Sequence, residues 1–181
     1  MKEASQKIHN PDEGYYQMYL DELKEIRPCT DQEREELQNQ VLLGNESARK
    51  RLIEGHLIFA LAAAKDYRDK GLPMSDLVQE ANLALTMAAS NYQGGDFLGF
   101  ARENILSSLQ KAIQEQQEEK KIGETMAARV NVLQEISSKL AEELGREATV
   151  EELAMGMGMT SEEIKDIMKL AVDALSVTGE G

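Results

Sequence analysis

Two apolar side chains stand where water-facing ones belong. In "GLPMSDLVQEANLAL" and the residues after it, Asp76, Gln79, Glu80, Asn82 and Thr86 share one helical face. Leu83 and Met87 lie in the middle of that face. The opposite stripe, Leu77, Ala81, Ala84, Leu85 and Ala88, is continuously apolar and suits a core. Carboxylates and amides around an apolar centre offer recognition rather than catalysis, because that is how a protein interface is built. The alternative is that Leu83 and Met87 contact another helix of the same chain, such as the first.

Residue sets for bond chemistry are missing. The two histidines, His9 and His56, are far apart, and the single cysteine, Cys29, has no neighbouring histidine. No HExxH, glycine-rich phosphate loop or Cys/His metal spacing occurs. Acidic pairs such as Glu35-Glu36 and Glu142-Glu143 read as solvated helix surface, and His56 reads as a packing residue. A non-enzyme with no cofactor and no metal is expected.

Composition narrows the class of partner. The 181 residues carry 33 acidic and 20 basic side chains, a formal net charge of −13. Phosphate attraction needs clustered Lys and Arg, so the balance leans against nonspecific nucleic-acid binding by the bare chain. One cysteine allows no internal disulfide and fits a reducing compartment. No apolar run approaches the roughly 20 residues of a membrane span. The opening "MKEASQKIHN" does not read as a signal peptide. A cytoplasmic protein with no membrane partner is the expectation.

The elements that must position this face all read as helices. Period-two alternation is absent, and β-branched and aromatic residues are sparse. The pattern predicts a helix over about 12–26, with Tyr16, Tyr19, Leu20, Leu23 and Ile26 on one side. A second opens at the "TDQE" capping box from Thr30 and ends near Gly44. Asn45 should cap a long helix through "SARKRLIEGHLIFALAAAKDYRDKG", with Leu57 to Ala64 buried nearly all round. Ser75 should cap the next, about 75–91. Another runs from about 97 to 120, and a loop near "KKIGET" marks a boundary. Beyond it, Val130, Leu133, Ile136, Leu140 and Leu144 keep helical spacing over about 125–144. Capping boxes at Thr149 ("TVEE") and Thr160 ("TSEE") open a helix-turn-helix-like pair. From 135 to 181 there are 11 acidic and 4 basic residues, a net of −7, unlike a phosphate-facing surface.

The stretch "ARKRLIEGHLIFALAAAKDYRDKGLPMSDLVQEANLAL" resembles the central part of the sigma-70 family, the promoter-specificity subunits of bacterial RNA polymerase. Leu52, Ile53 and Glu54, then Tyr67, Gly71, Leu72 and Pro73, then Asp76, Leu77, Gln79, Glu80, Asn82 and Leu85 carry the match. "YYQMYLDEL" with "PCTDQEREEL" resembles the family's N-terminal helices, and "LAEELGREATVEELAMGMGMTSEEI" its middle tri-helical domain. Together they cover roughly 11–176. The resemblance implies an all-α chain. Residues 1–122 form a region 1.2/2-like bundle, 123–177 a region 3-like tri-helical domain, and 178–181 a tail.

It further implies that Asp76, Leu77, Gln79, Glu80, Asn82, Leu83 and Met87 dock on the clamp helices of the largest subunit of core RNA polymerase. Promoter −10 DNA would be engaged weakly, and only with polymerase, through Phe97, Phe100, Arg102, Lys111, Lys120 and Lys121. The family also leaves room for an anti-sigma partner. Departures cluster on the DNA-reading side. A tryptophan pair common in the family is replaced by Glu103 and Asn104, and an amide and an arginine by Ser107 and Leu106. His56 and Ile58 stand where many members carry Asn and Arg. No counterpart of the −35-reading domain follows "LSVTGEG". Three functions follow as expectations: a transcription initiation factor, a regulator that occupies polymerase without initiating, or a helical interaction scaffold.

Overall fold

Helix caps and apolar stripes in the sequence account for most of the architecture. The structure is a computed structural model that describes residues 11–178. His9, the opening ten residues and the end of the tail, 179–181, lie outside it. Among the described residues there are eight helices and no strand: α1 (Pro11–Lys24), α2 (Asp31–Leu42), α3 (Glu46–Glu54), α4 (Leu57–Lys65), α5 (Met74–Asn91), α6 (Phe97–Leu144), α7 (Val150–Met157) and α8 (Ser161–Thr178). The chain is all-α. None of these helices is long and apolar enough to cross a membrane.

Two compact units divide between Gln117 and Glu118. In the first, Leu52, Leu77, Leu85, Phe97, Ile105 and Leu109 are fully buried and centre one core drawn from α1 to α6. In the second, Leu133, Leu153, Ala154, Ile164 and Ile167 form a separate core, with Val130, Ile136 and Leu140 against it. Leu144, expected on that stripe, is exposed. Both expected capping boxes of this unit form. Thr149 Oγ1 accepts from Glu152 N at 3.3 Å while Glu152 accepts from Thr149 N at 2.8 Å. Thr160 and Glu163 make the same exchange at 3.2 and 2.9 Å. Gly158 ends α7 at φ 66°, a left-handed conformation that costs glycine nothing.

Four local expectations are corrected. The long helix from Asn45 is broken in two at Gly55-His56. Asn45 does cap the first piece, accepting from Ser47 N and Ala48 N at 3.0 and 3.1 Å. The break follows from a close approach. Cys29 N donates to Gly55 O at 3.1 Å, and a Cβ on Gly55 would fall 2.0 Å from Cys29 Sγ. Second, α4 is not buried all round: Ala60, Leu61 and Ala64 are buried, whereas Ile58 and Ala62 are exposed. Third, "KKIGET" is helical, because the run from Lys120 to Thr125 lies inside α6.

The fourth correction concerns α5. Its N-cap is Pro73, and Ser75 does not cap it. Instead Asp12 of α1 reaches across, its carboxylate accepting from Met74 N at 3.2 Å and Ser75 N at 3.0 Å. Two orphan donors of the first turn are thereby satisfied by a residue 62 and 63 positions away. The negative charge also lies at the favourable end of the helix dipole. Its hydrogen bond with Ser75 holds the Asp12 carboxyl below the usual carboxylate range.

Candidate functional site

α5 buries one side and presents the other. Leu77, Val78, Ala81, Ala84, Leu85, Ala88 and Ala89 face the core. Their small and branched side chains let α4 and α1 pack closely against the helix. The opposite side carries Leu83, 57% exposed, and Met87, 53% exposed. More than half of each side chain is open to solvent.

The polar residues converge around this apolar centre. Asp76, Gln79, Glu80, Asn82 and Leu83 line one shallow depression. Asp76 and Gln79 are exposed, while Glu80 and Asn82 are half-buried and held from neighbouring helices. The Asn82 amide pairs with the Tyr19 hydroxyl of α1, at 3.0 and 3.2 Å. Ser108 Oγ of α6 donates to Glu80 Oε1. Thr86 turns its hydroxyl inward to Asn82 O at 2.8 Å and thins the polar rim beside Met87. The result is an acidic, amide-bearing rim beside Leu83, with Met87 one turn further along the exposed side and no basic residue among the groups lining the depression.

Leu77 is corrected from contact residue to support. It is fully buried, so it holds α5 in place and touches nothing outside the chain.

The aromatic pair separates in the same way. Phe97 is fully buried, edge-on to His56 at 5.3 Å and to Tyr92 at 5.4 Å between ring centroids. It is a core residue and cannot receive a base. Phe100, one turn on, is 37% exposed. Arg102 is exposed beside Glu103. Lys111 is exposed and pairs with Glu115 at 3.6 Å. Lys120 and Lys121 belong to the second unit, where Lys120 pairs with Glu124 at 4.0 Å.

His56 behaves as packing expects. It is 5% exposed, its Nδ1 lies 2.6 Å from Leu52 O, and burial pushes its pKa below the usual histidine value. Among the described residues no cluster of three or more His, Cys, Asp or Glu could hold a metal. Sequence reasoning missed Tyr19, Ser108 and Asp12 as supports. Tyr19 was legible only as part of an apolar stripe, since its hydroxyl partner is 63 residues away.

Comparison with known proteins finds relatives over most of the chain. The family model for sigma-70 region 3 matches residues 128–179. RNA polymerase sigma factor SigA of a Bacillus species is 32% identical over 174 residues, covering 94% of this chain and 45% of that protein. SigA of Clostridium acetobutylicum is 33% identical over 163 residues, 88% of this chain and 43% of that protein. Residues 128–179 thus match sigma-70 region 3, and most of the chain is similar to sigma-70 factors. The chain spans just under half the length of these two sigma-70 relatives. The alignments extend well beyond the region 3 match, over most of the chain, so the similarity is not confined to the second unit.

Proposed function

We propose that this chain is a non-enzymatic, cytoplasmic transcription initiation factor of the sigma-70 family that binds core RNA polymerase through the exposed face of α5. Within this reading, residues 1–122 are the region 1.2/2-like part and 123–177 the region 3-like part. One observation carries the proposal: Leu83 and Met87 are open to solvent on the side of α5 whose depression Asp76, Gln79, Glu80, Asn82 and Leu83 line. A pair of partner helices, the clamp helices of the largest subunit, would seal the two aliphatic chains. The carboxylates would meet basic groups on those helices. Rim charge chiefly sets encounter rate and register, and the apolar centre sets residence time.

Promoter engagement then falls to α6. The polymerase grips most of the duplex, and Phe100 captures one unstacked base of the −10 element, with Arg102 and Lys111 beside the strand. Stacking of a base on an aromatic ring contributes about 1–3 kcal/mol. Phosphate contacts position the strand without reading it.

A second reading, a regulator that occupies polymerase without initiating, is favoured by one specific observation. Phe97 is sealed in the core, so a single ring remains for base capture. Over 97–121 the charges also cancel, with Arg102, Lys111, Lys120 and Lys121 against Glu103, Glu115, Glu118 and Glu119.

Binding of the chain to core polymerase, measured with and without single-stranded −10 DNA, tests the first proposal. Loss of binding in Leu83→Asp supports the α5 face. Unchanged binding removes it. Specific transcripts from polymerase plus this protein alone exclude the regulator.

A further inference from the structure

Three side chains from outside α5 fix its geometry, and two of them reach the rim itself. Asp12 satisfies the first turn, Ser108 holds Glu80, and Tyr19 holds Asn82. Asp12 and Tyr19 both come from α1, so that helix is pinned to α5 at two points about two turns apart on each element. Tyr19 is half-buried, packed against the core, with its hydroxyl on Asn82, one of the residues that line the depression. Burial raises the phenol pKa further above its ordinary value.

We propose that Tyr19 is a positioning residue for polymerase docking, which acts by holding the Asn82 amide in the orientation that the partner meets. The assignment rests on the reading of α5 as the docking face. An amide on a solvent-facing helix samples several rotamers, and ordering it at binding costs affinity. The Tyr19 hydroxyl removes that cost in advance. It occupies one side of the amide and leaves the remaining donor and acceptor capacity for a partner. Ser108 treats Glu80 similarly from α6, so the half-buried part of the rim is set before encounter. The fully exposed Asp76 and Gln79 stay adaptable.

Tyr19→Phe deletes the hydroxyl and keeps the ring. The loss of one neutral hydrogen bond corresponds to roughly 2- to 12-fold in an equilibrium constant. Titration of the full chain against core polymerase should therefore show Tyr19→Phe binding roughly 2- to 12-fold more weakly. Asn82→Ala should weaken binding too, and adding Tyr19→Phe to Asn82→Ala should cost nothing more. Circular dichroism and thermal melts on each variant separate affinity from folding. A purely structural tyrosine would lower the melting midpoint and give the same affinity loss in both backgrounds, which overturns the proposal. Wild-type affinity in Tyr19→Phe, with binding abolished in Leu83→Asp, overturns it while leaving the docking face standing. Failure of the wild-type chain to bind core polymerase removes the docking face and this proposal together, and is read from the wild type alone.

Discussion

Truncating Leu83 and Met87 together to alanine isolates the apolar centre of the α5 face. Burying a whole Leu or Met side chain stabilises by about 1.5–3 kcal/mol. Leu83 and Met87 are already nearly half covered in the free chain, at 57% and 53% exposed. Sealing the remainder therefore contributes about 1–1.5 kcal/mol each, and about 2–3 kcal/mol for the pair. Alanine keeps the Cβ, so the double variant should lose about 1.5–2.5 kcal/mol, or roughly 10- to 70-fold in Kd. Because the truncated atoms face water, the stability of the free chain should change by no more than about 0.5 kcal/mol. Leu85→Ala, at a fully buried position two residues from Leu83, gives the opposite signature. It should cost about 2–5 kcal/mol of stability. Affinity for core polymerase by fluorescence titration and stability by urea unfolding supply both readings. Full affinity in the Leu83→Ala/Met87→Ala chain, with the fold intact, would refute the reasoning.

Three further outcomes are expected. Phe100→Ala should weaken capture of single-stranded −10 DNA by the polymerase complex by about 1–3 kcal/mol and leave unfolding unchanged, whereas Phe97→Ala should lower stability by about 3–5 kcal/mol; DNA titration and urea melts separate the two. His56 is held neutral by burial, with Arg34 and Arg51 acting in the same direction. The unfolded chain therefore takes up a proton below the ordinary histidine pKa that the folded chain refuses. Stability should be full above about pH 6.5 and fall as the pH drops towards the depressed folded value; a His56→Gln chain should lose that component of the slope in a melt-versus-pH series. Gly55→Ala should cost about 1–3 kcal/mol, because its Cβ meets Cys29 Sγ. Cys29→Ala should recover only part of that loss in thermal melts, since Cys29 Cβ and N would each still lie 3.0 Å from the added carbon.

What was legible in the sequence follows from range. Thr149, Thr160 and Asn45 cap within three residues of themselves, so their types and spacing specify the local hydrogen bonds. The α5 stripe has a period, and the core obeys it. The kink at Gly55 escaped notice because its cause, Cys29, comes from a different segment and no local residue reports it. α6 shows the converse failure. Gly123 sits in open space within a continuous helix, so its type suggested a break that nothing in the fold requires. Phe97 and Phe100 illustrate the limit at the site. Both are rings on the same helix three residues apart, and only the positions of His56 and Tyr92 determine that the first is interior.

The reach of Asp12 to Met74 and Ser75 bears on the order in which the chain is made. Translation delivers α1 before α5 exists, so the carboxylate that completes the first turn of α5 has already left the ribosome when Pro73 emerges. The segment destined for the exposed face can then close its leading amides on contact, without waiting for downstream sequence. Any deletion that removes α1 leaves those amides to water, and the loss should register as fraying at one end of α5 long before it registers as unfolding.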